Sequence, residues 1–132
     1  MKSPVKARHL PNEQWAEAYD EYFVSNMGRW YSKKSNRILA QQPNSSGYLR
    51  PDFTVHGERV RPFTHIKVVE FFGDCNGNTI PPNTRKLRDI HLSIDHLNRD
   101  KRNNRQSNLE LVPHRVNCAR KYPRITATPK SG

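Results

Sequence analysis

The 132-residue chain has few acidic residues, only two cysteines and no long apolar run. No stretch reaches the roughly 18 consecutive apolar residues of a membrane-spanning helix, so no membrane partner is expected. Cys75 and Cys118 lie far apart and form no Cys-x-x-Cys pair, which argues against a zinc ribbon. They form one disulfide or remain two free thiols, and the lack of a secretory signal after the basic residues 1–8 favours thiols. These absences predict one small cytoplasmic domain.

Lysine and arginine outnumber aspartate and glutamate by 23 to 12, which gives a formal net charge of +11. Such a charge on a small chain attracts polyanions and steers them to the surface. We therefore expect a nucleic acid as the partner, bound with an affinity that falls steeply as salt rises. On composition alone, a basic surface that only maintains solubility is the alternative.

The first half of the chain predicts β-hairpins. Residues 1–14 are polar and predict a loose lead-in. Residues 15–63 combine β-forming side chains with turn residues, which predicts one hairpin around the turn at 26–29 and a second across 47–63.

A short helix is predicted at residues 64–72, where apolar side chains recur at helical spacing. Thr64 is predicted to cap the N-terminus of this helix, and Gly73 to end it. A Pro-, Thr- and Lys-containing tail at 123–132 predicts disorder.

The second half predicts a strand, a polar loop, a second strand and a helix. Residues 90–95 alternate apolar and polar side chains, as a half-buried strand does. Residues 97–107 are almost entirely polar and predict an exposed loop, and 109–112 predict the second strand. Pro113 suits the first turn of a helix. The chain as a whole is therefore predicted to be α+β.

This strand–loop–strand–helix unit holds the side chains needed for metal-assisted cleavage of a phosphodiester. Asp95 would bind a divalent cation, and Asn117 would supply a second oxygen ligand from the helix. Such oxygens suit magnesium, manganese or calcium better than zinc. His96 would take a proton from water. Because neighbouring residues of a strand face opposite ways, the strand must end or twist at Asp95-His96 for both to serve one site.

The polar loop carries supporting residues. Asn108 is predicted to brace the loop through the backbone and to hold His96 in place. Asn103 and Asn104 are predicted to satisfy backbone groups within the loop. The predicted phosphate contacts in this segment are Arg99, Lys101, Arg102 and Arg105.

The joint pattern resembles the HNH nucleases, whose active site is a ββα-metal fold. The matching segments are Asp95-His96, Asn103-Asn104-Arg105, Asn108-Leu109-Glu110 and Asn117. The resemblance implies that Asp95 and Asn117 are metal ligands, His96 the general base and Asn108 the structural asparagine. It also implies that residues 64–122 form the nuclease core.

Upstream, the segment Val24-Ser25-Asn26-Met27-Gly28-Arg29 resembles the Val-Ser-Asn-x-Gly-Arg module that precedes HNH domains in phage homing endonucleases. That module contacts DNA, so the resemblance implies that residues 15–63 form a β-rich DNA-binding module. The phosphate contacts it implies are Arg29, Lys33, Lys34 and Arg37. Many relatives add a C-terminal helix-turn-helix, for which this chain is too short, so an accessory protein for target recognition is expected as one option.

The resulting prediction is a metal-dependent HNH endonuclease of the phage homing type that acts on double-stranded DNA in the cytoplasm of a bacterial host. The cofactor expected is magnesium or manganese. One site per chain attacks one strand, so a monomer is expected to nick. Two rivals remain open: a nucleic-acid-binding module without turnover, and a structural basic protein of a ribonucleoprotein or virion. The sequence leaves the oligomeric state and the target site open.

Overall fold

The computed structural model of the chain describes residues 4–81, 84 and 86–116. Within them, ten short strands pair antiparallel around one nine-residue helix. This architecture confirms the α+β class. In the part of the chain that the structure describes, no helix is long and apolar enough to cross a bilayer. Both Asn117 and the tail at 123–132 lie outside the described residues.

A four-stranded sheet, in the order β1-β2-β3-β4, forms the first part of the fold. Its strands are β1 (Trp15–Tyr19), β2 (Tyr22–Ser25), β3 (Trp30–Ser32) and β4 (Arg37–Ile38). Every residue of β2 and β3 is buried. One face packs on the main core, and the other face, through Phe23 and Tyr31, packs on Val5. The lead-in is therefore anchored by Val5, which is 4% exposed, rather than loose as predicted.

Two small hairpins follow the first sheet. Strands β5 (Gln42–Pro43) and β6 (Leu49–Arg50) form one pair, and β7 (Phe53–Val55) and β8 (Glu58–Val60) form the other. The predicted hairpin across 47–63 is thus shorter than expected. Residues 44–48 fold into a separate turn because the Asn44 side chain accepts the N–H groups of Ser46 and Tyr48.

Helix α1 (Thr64–Phe72) has the predicted bounds and ends at Gly73, which has a φ of 88°. The prediction that Thr64 caps the helix is wrong, because Phe63 is the N-cap and no side chain caps it. Instead the buried Thr64 hydroxyl accepts the indole N–H of Trp30 at 3.0 Å and bonds with Gln41. A buried indole N–H needs such an acceptor, so Thr64 joins the helix to the first sheet.

The second half forms an antiparallel hairpin of β9 (Leu92–His96) and β10 (Leu109–Pro113), in which His96 lies opposite Leu109. Strand β9 starts later than predicted because residues 87–90 form a 3-10 turn that ends at His91, with a left-handed φ of 57°. Pro113 is the last residue of β10, not the first turn of a helix as predicted, and helical backbone begins at His114. We call β9, the loop at 97–108 and β10 the nuclease hairpin, after the family that the sequence of this segment resembles.

One buried cluster holds these parts together. It draws residues from the predicted DNA-binding segment, from helix α1 and from the nuclease hairpin. Its members are Tyr22, Val24, Trp30, Phe53, Val68, Val69, Ile94 and Leu109. Because burial of apolar surface is the main source of stability, the position of the hairpin depends on side chains from both halves of the chain.

Asp74 links the end of helix α1 to the nuclease hairpin and is only 1% exposed. One carboxylate oxygen accepts the N–H groups of Asn76 and Asn78 at 2.9 and 2.8 Å. The other accepts the N–H of Leu111 in β10 at 2.8 Å. This buried carboxylate is thus satisfied by three backbone donors, which offsets the cost of burying its charge.

We predict that Asp74→Asn lowers the free energy of unfolding by about 2 kcal/mol, because an amide donor would face the Leu111 N–H. Asp52→Asn is the matched control. Asp52 is exposed and pairs with Arg59, and because an exposed ion pair contributes little to stability, this change should cost much less. Urea denaturation of both variants measures the difference. Equal stabilities for the two would contradict the assigned role of Asp74.

Candidate active site

His96 ends strand β9 opposite Leu109 and is 6% exposed. Its Nε2 lies 2.7 Å from the side-chain oxygen of Asn104. The ring is surrounded by those of His65 and Tyr48, with centroids 5.4 and 6.0 Å away. Strand β9 ends at His96, directly after Asp95, and that the two side chains serve one site stays a prediction.

Burial lowers the pKa of His96. The hydrogen bond with Asn104 and the charges of Asp95 and Asp100 act in the opposite direction, but they do not offset burial. The imidazole is therefore neutral near pH 7, the form that can accept a proton. A ring proton on Nε2 would donate to that oxygen and leave the lone pair on Nδ1.

Asp95 occupies the other face of β9. Burial alternates along the strand, with Ile94 and His96 buried and Asp95 half-buried between them. Across the ladder, Asp95 lies opposite Glu110. Both carboxylates line a cavity of about 220 Å³, together with Leu97 and Arg99.

The donor chemistry of this cavity fits a hard divalent cation. Like charges directly opposite each other in a sheet are destabilising, and a cation near Asp95 and Glu110 would relieve that repulsion. Carboxylate oxygens are the ligands that magnesium, manganese and calcium prefer. Residues 4–81, 84 and 86–116 contain no cluster of three His, Cys, Asp or Glu side chains suited to a metal. Asn117, the second predicted ligand, lies outside those residues.

Asn108 closes the loop of the nuclease hairpin. Its oxygen accepts the N–H of Asn98 at 3.0 Å, and its amide donates to the Asn98 side chain and to the carbonyl of Asn103 at 2.9 and 2.8 Å. These bonds draw the two ends of the loop together next to His96. That Asn108 contributes to catalysis stays a prediction.

The two loop asparagines behave differently. Asn103 accepts the N–H of Arg105 at 3.4 Å, so it serves the backbone as predicted. The same prediction for Asn104 is wrong, because its side-chain oxygen is bonded to His96. The physical reason is burial: Asn104 is 3% exposed, and its side chain points to the imidazole rather than along the loop.

A family model described as HNH endonuclease matches residues 63–119. The H-N-H endonuclease F-TflII of Escherichia phage T5 is 30% identical over 110 residues, which cover 81% of this chain and 52% of that protein. Residues 63–119 of the chain thus match the HNH endonuclease family. It spans about half the length of the relatives it matches.

A solved HNH structure has the same fold. Its title is "DNA binding and cleavage by the HNH homing endonuclease I-HmuI", and it matches with a TM-score of 0.64 at 29% identity. The match covers 82% of this chain and 57% of that one. The structural similarity therefore extends upstream of the nuclease hairpin into the β-rich segment at 15–63.

Among the predicted DNA contacts, Arg29 forms an ion pair within the protein. Its guanidinium forms two bonds of 2.9 and 2.5 Å with Glu13, whose side chain is fully buried. It also donates to the carbonyl of Arg8 at 2.7 Å and lies 5.5 Å from the ring of Trp15. These bonds join the lead-in to the first sheet. A contact between Arg29 and DNA stays a prediction.

The other predicted cations are more accessible. Lys101 donates to the carbonyl of Ser46 at 2.7 Å and lies 4.7 Å from the ring of Tyr48. Lys34 lies 5.9 Å from the ring of Tyr22 and is otherwise exposed. The remaining predicted cations are also exposed: Lys33, Arg37, Arg99, Arg102 and Arg105. Their contacts with phosphate also stay predictions.

The sequence did not predict that Asn104, Tyr48 and His65 contact or lie near His96. Asn104 stands in a run of polar residues that predicts solvent exposure. Tyr48 and His65 are distant from His96 in the chain and reach it only through the tertiary fold. The one signal available was that Tyr48 falls within the implied DNA-binding module and His65 within the implied nuclease core.

We predict that Arg29→Gln lowers the free energy of unfolding at pH 7 by about 3 kcal/mol, because it leaves the buried Glu13 carboxylate without its partner. Arg37→Gln, at an exposed site, should change it by less than about 0.5 kcal/mol. Urea denaturation tests both. Equal stability of the two variants would show that the Arg29–Glu13 pair has no structural role.

The loss caused by Arg29→Gln should also depend on pH. Burial by itself raises the pKa of Glu13, but the hydrogen bonds from Arg29 and the Leu10 N–H outweigh it and hold the pKa below its ordinary 4.5. A lowered pKa contributes stability that is complete above the ordinary value and is lost as the pH falls through the folded one. The difference between wild type and variant should therefore narrow below pH 4.5.

Proposed function

We propose that the protein is a metal-dependent HNH endonuclease of the homing type that hydrolyses phosphodiester bonds in double-stranded DNA. The observation that carries the proposal is the buried, neutral His96 at the end of β9, held by Asn104 and directly preceded by Asp95. The match of residues 63–119 to the HNH endonuclease family and the net charge of +11 support it.

In the proposed reaction, His96 acts as the general base. Its Nδ1 lone pair takes a proton from the attacking water, because Nε2 is engaged with Asn104. Burial favours the neutral ring before the reaction. Asn108 keeps the loop closed around this site through its bonds to Asn98 and Asn103.

Asp95 and Asn117 are the proposed ligands of magnesium or manganese. A divalent cation bound there would offset the negative charge on the phosphate oxygens and on the leaving 3′-oxygen. Asp95 is well placed for this because it is half-buried and lines a cavity open to substrate. The proposed products carry a 5′-phosphate and a 3′-hydroxyl.

The proposed substrate contacts are exposed arginines and lysines on both halves of the chain. Such contacts position the duplex without reading its sequence. One site per chain predicts nicking by a monomer, and an accessory protein remains one route to target recognition. As in the phage relative, we propose a phage-encoded protein acting in the cytoplasm of a bacterial host.

The direct test is nicking of supercoiled plasmid with magnesium or manganese. We expect wild-type protein to nick and chelator to abolish nicking. His96→Ala should reduce the rate by about 10²- to 10⁴-fold, the usual contribution of a general base. The matched control is His56→Ala, because His56 lies exposed in the β7–β8 turn and should leave the rate unchanged. DNA ligase should reseal the nicks if they carry the proposed ends.

Two results would contradict the proposal. Binding of plasmid without nicking, across several metals and sequences, would favour the nucleic-acid-binding module without turnover. Nicking that persists at the wild-type rate in His96→Ala would remove His96 from the mechanism.

A further inference from the structure

The loop asparagine Asn104 contacts the catalytic imidazole directly. Its side-chain oxygen lies 2.7 Å from Nε2 of His96, and both residues are buried, at 3% and 6% exposure. A neutral imidazole carries its single proton on the nitrogen that has an acceptor. An oxygen in this place therefore selects the tautomer that leaves Nδ1 free to act as a base.

Asn104 in turn rests on Gly28. A Cβ built on Gly28 would lie 3.0 Å from both the Cβ and the carbonyl oxygen of Asn104. Gly28 also has a φ of +78°, a conformation that other residues rarely adopt. Two residues further on, the N–H of Gln106 donates to the carbonyl of Asn26 at 2.8 Å. The turn at residues 25–29 and the loop at 104–106 thus form one continuous contact.

The turn at 25–29 is itself fixed from within. The Ser25 hydroxyl accepts the N–H groups of Met27 and Arg29, both at 3.1 Å. The Asn26 side chain accepts the N–H of Gln14 at 2.8 Å and donates to a lead-in carbonyl. The side chains of Ser25 and Asn26 are therefore bonded within the protein and fix the shape of the turn.

We propose that Asn104 is a positioning residue that holds His96 in its Nε2–H tautomer, and that the turn at 25–29 supports Asn104 in that place. The turn at 25–29, for which the resemblance implies contact with DNA, thus has a second role, to fix the position of His96 through Asn104. This inference rests on the proposed function for its consequence in catalysis, but the tautomer can be observed without any reaction.

The first experiment is nuclear magnetic resonance of the metal-free, ¹⁵N-labelled full chain. Long-range ¹H–¹⁵N correlations report which imidazole nitrogen carries the proton, at a pH of about 8 where the ring is neutral. The His96 signals are assigned by their loss in His96→Gln. We expect Nε2–H in the wild type, a shift toward Nδ1–H in Asn104→Leu, and rescue of Nε2–H in Asn104→Asp, which restores an oxygen acceptor.

The second experiment tests the support by a matched pair of glycine variants. Gly28 and Gly57 have nearly equal positive φ angles of 78° and 83°, but a Cβ on Gly57 would meet no atom within 4 Å. Alanine therefore adds similar backbone strain at both sites, and at Gly28 alone it pushes on Asn104. We expect Gly28→Ala to shift the His96 tautomer and Gly57→Ala to leave it unchanged, with both variants checked for folding by circular dichroism.

Kinetics give the second readout. Asn104→Leu should lower kcat for nicking by about 10- to 100-fold, as loss of a residue that orients a histidine does elsewhere. KM should stay unchanged because Asn104 is buried and offers almost no surface for a contact with DNA. Rescue of kcat by Asn104→Asp would separate positioning from a general loss of structure.

The outcomes are distinct. Nδ1–H in the wild type, or an unchanged tautomer in Asn104→Leu, would overturn the positioning role. The same tautomer in Gly28→Ala as in the wild type would overturn the supporting role of the turn. If the variants show the expected tautomer shifts but the wild-type protein nicks no DNA, the positioning role holds and the proposed function fails.

Discussion

The contact between the turn at 25–29 and the loop at 104–106 determines much of the rest of this structure. It requires a glycine at position 28, because any side chain there would meet Asn104. It also gives the loop a backbone bond, from Gln106 to Asn26, that the nuclease hairpin could not form by itself. With the shared apolar core, this contact makes the environment of His96 a product of both halves of the chain.

The two faces of β9 give His96 and Asp95 different surroundings. His96 points to the buried side, where loss of solvent lowers its pKa and Asn104 selects one tautomer. Asp95 points to the other side, where it shares a cavity with Glu110 and Arg99. The proposed general base and the proposed metal ligand need such different surroundings. Alternation along a strand supplies both within two consecutive residues.

The sequence predicted most elements that local patterns control. The β2–β3 hairpin, helix α1 and the nuclease hairpin follow from apolar spacing and turn residues, so their positions were found within a few residues. The errors have another source. Thr64, Asn104 and Pro113 were assigned roles from their neighbours in the chain, whereas partners distant in sequence or the strand ladder decide what they do. The candidate site residues were predicted from the side-chain chemistry of the strand–loop–strand–helix unit and from a family resemblance, and their roles stay proposals.

Native-state hydrogen exchange of the Gln106 amide tests most directly whether the two halves of the chain form one cooperative unit. Its N–H is bonded across the contact to Asn26, while the amides of Ser25 and Leu97 are bonded within their own halves. If the contact is as stable as the fold, all three should exchange with the free energy of global unfolding. Exchange of Gln106 at the rate of an exposed loop, with Ser25 and Leu97 still protected, would contradict the account.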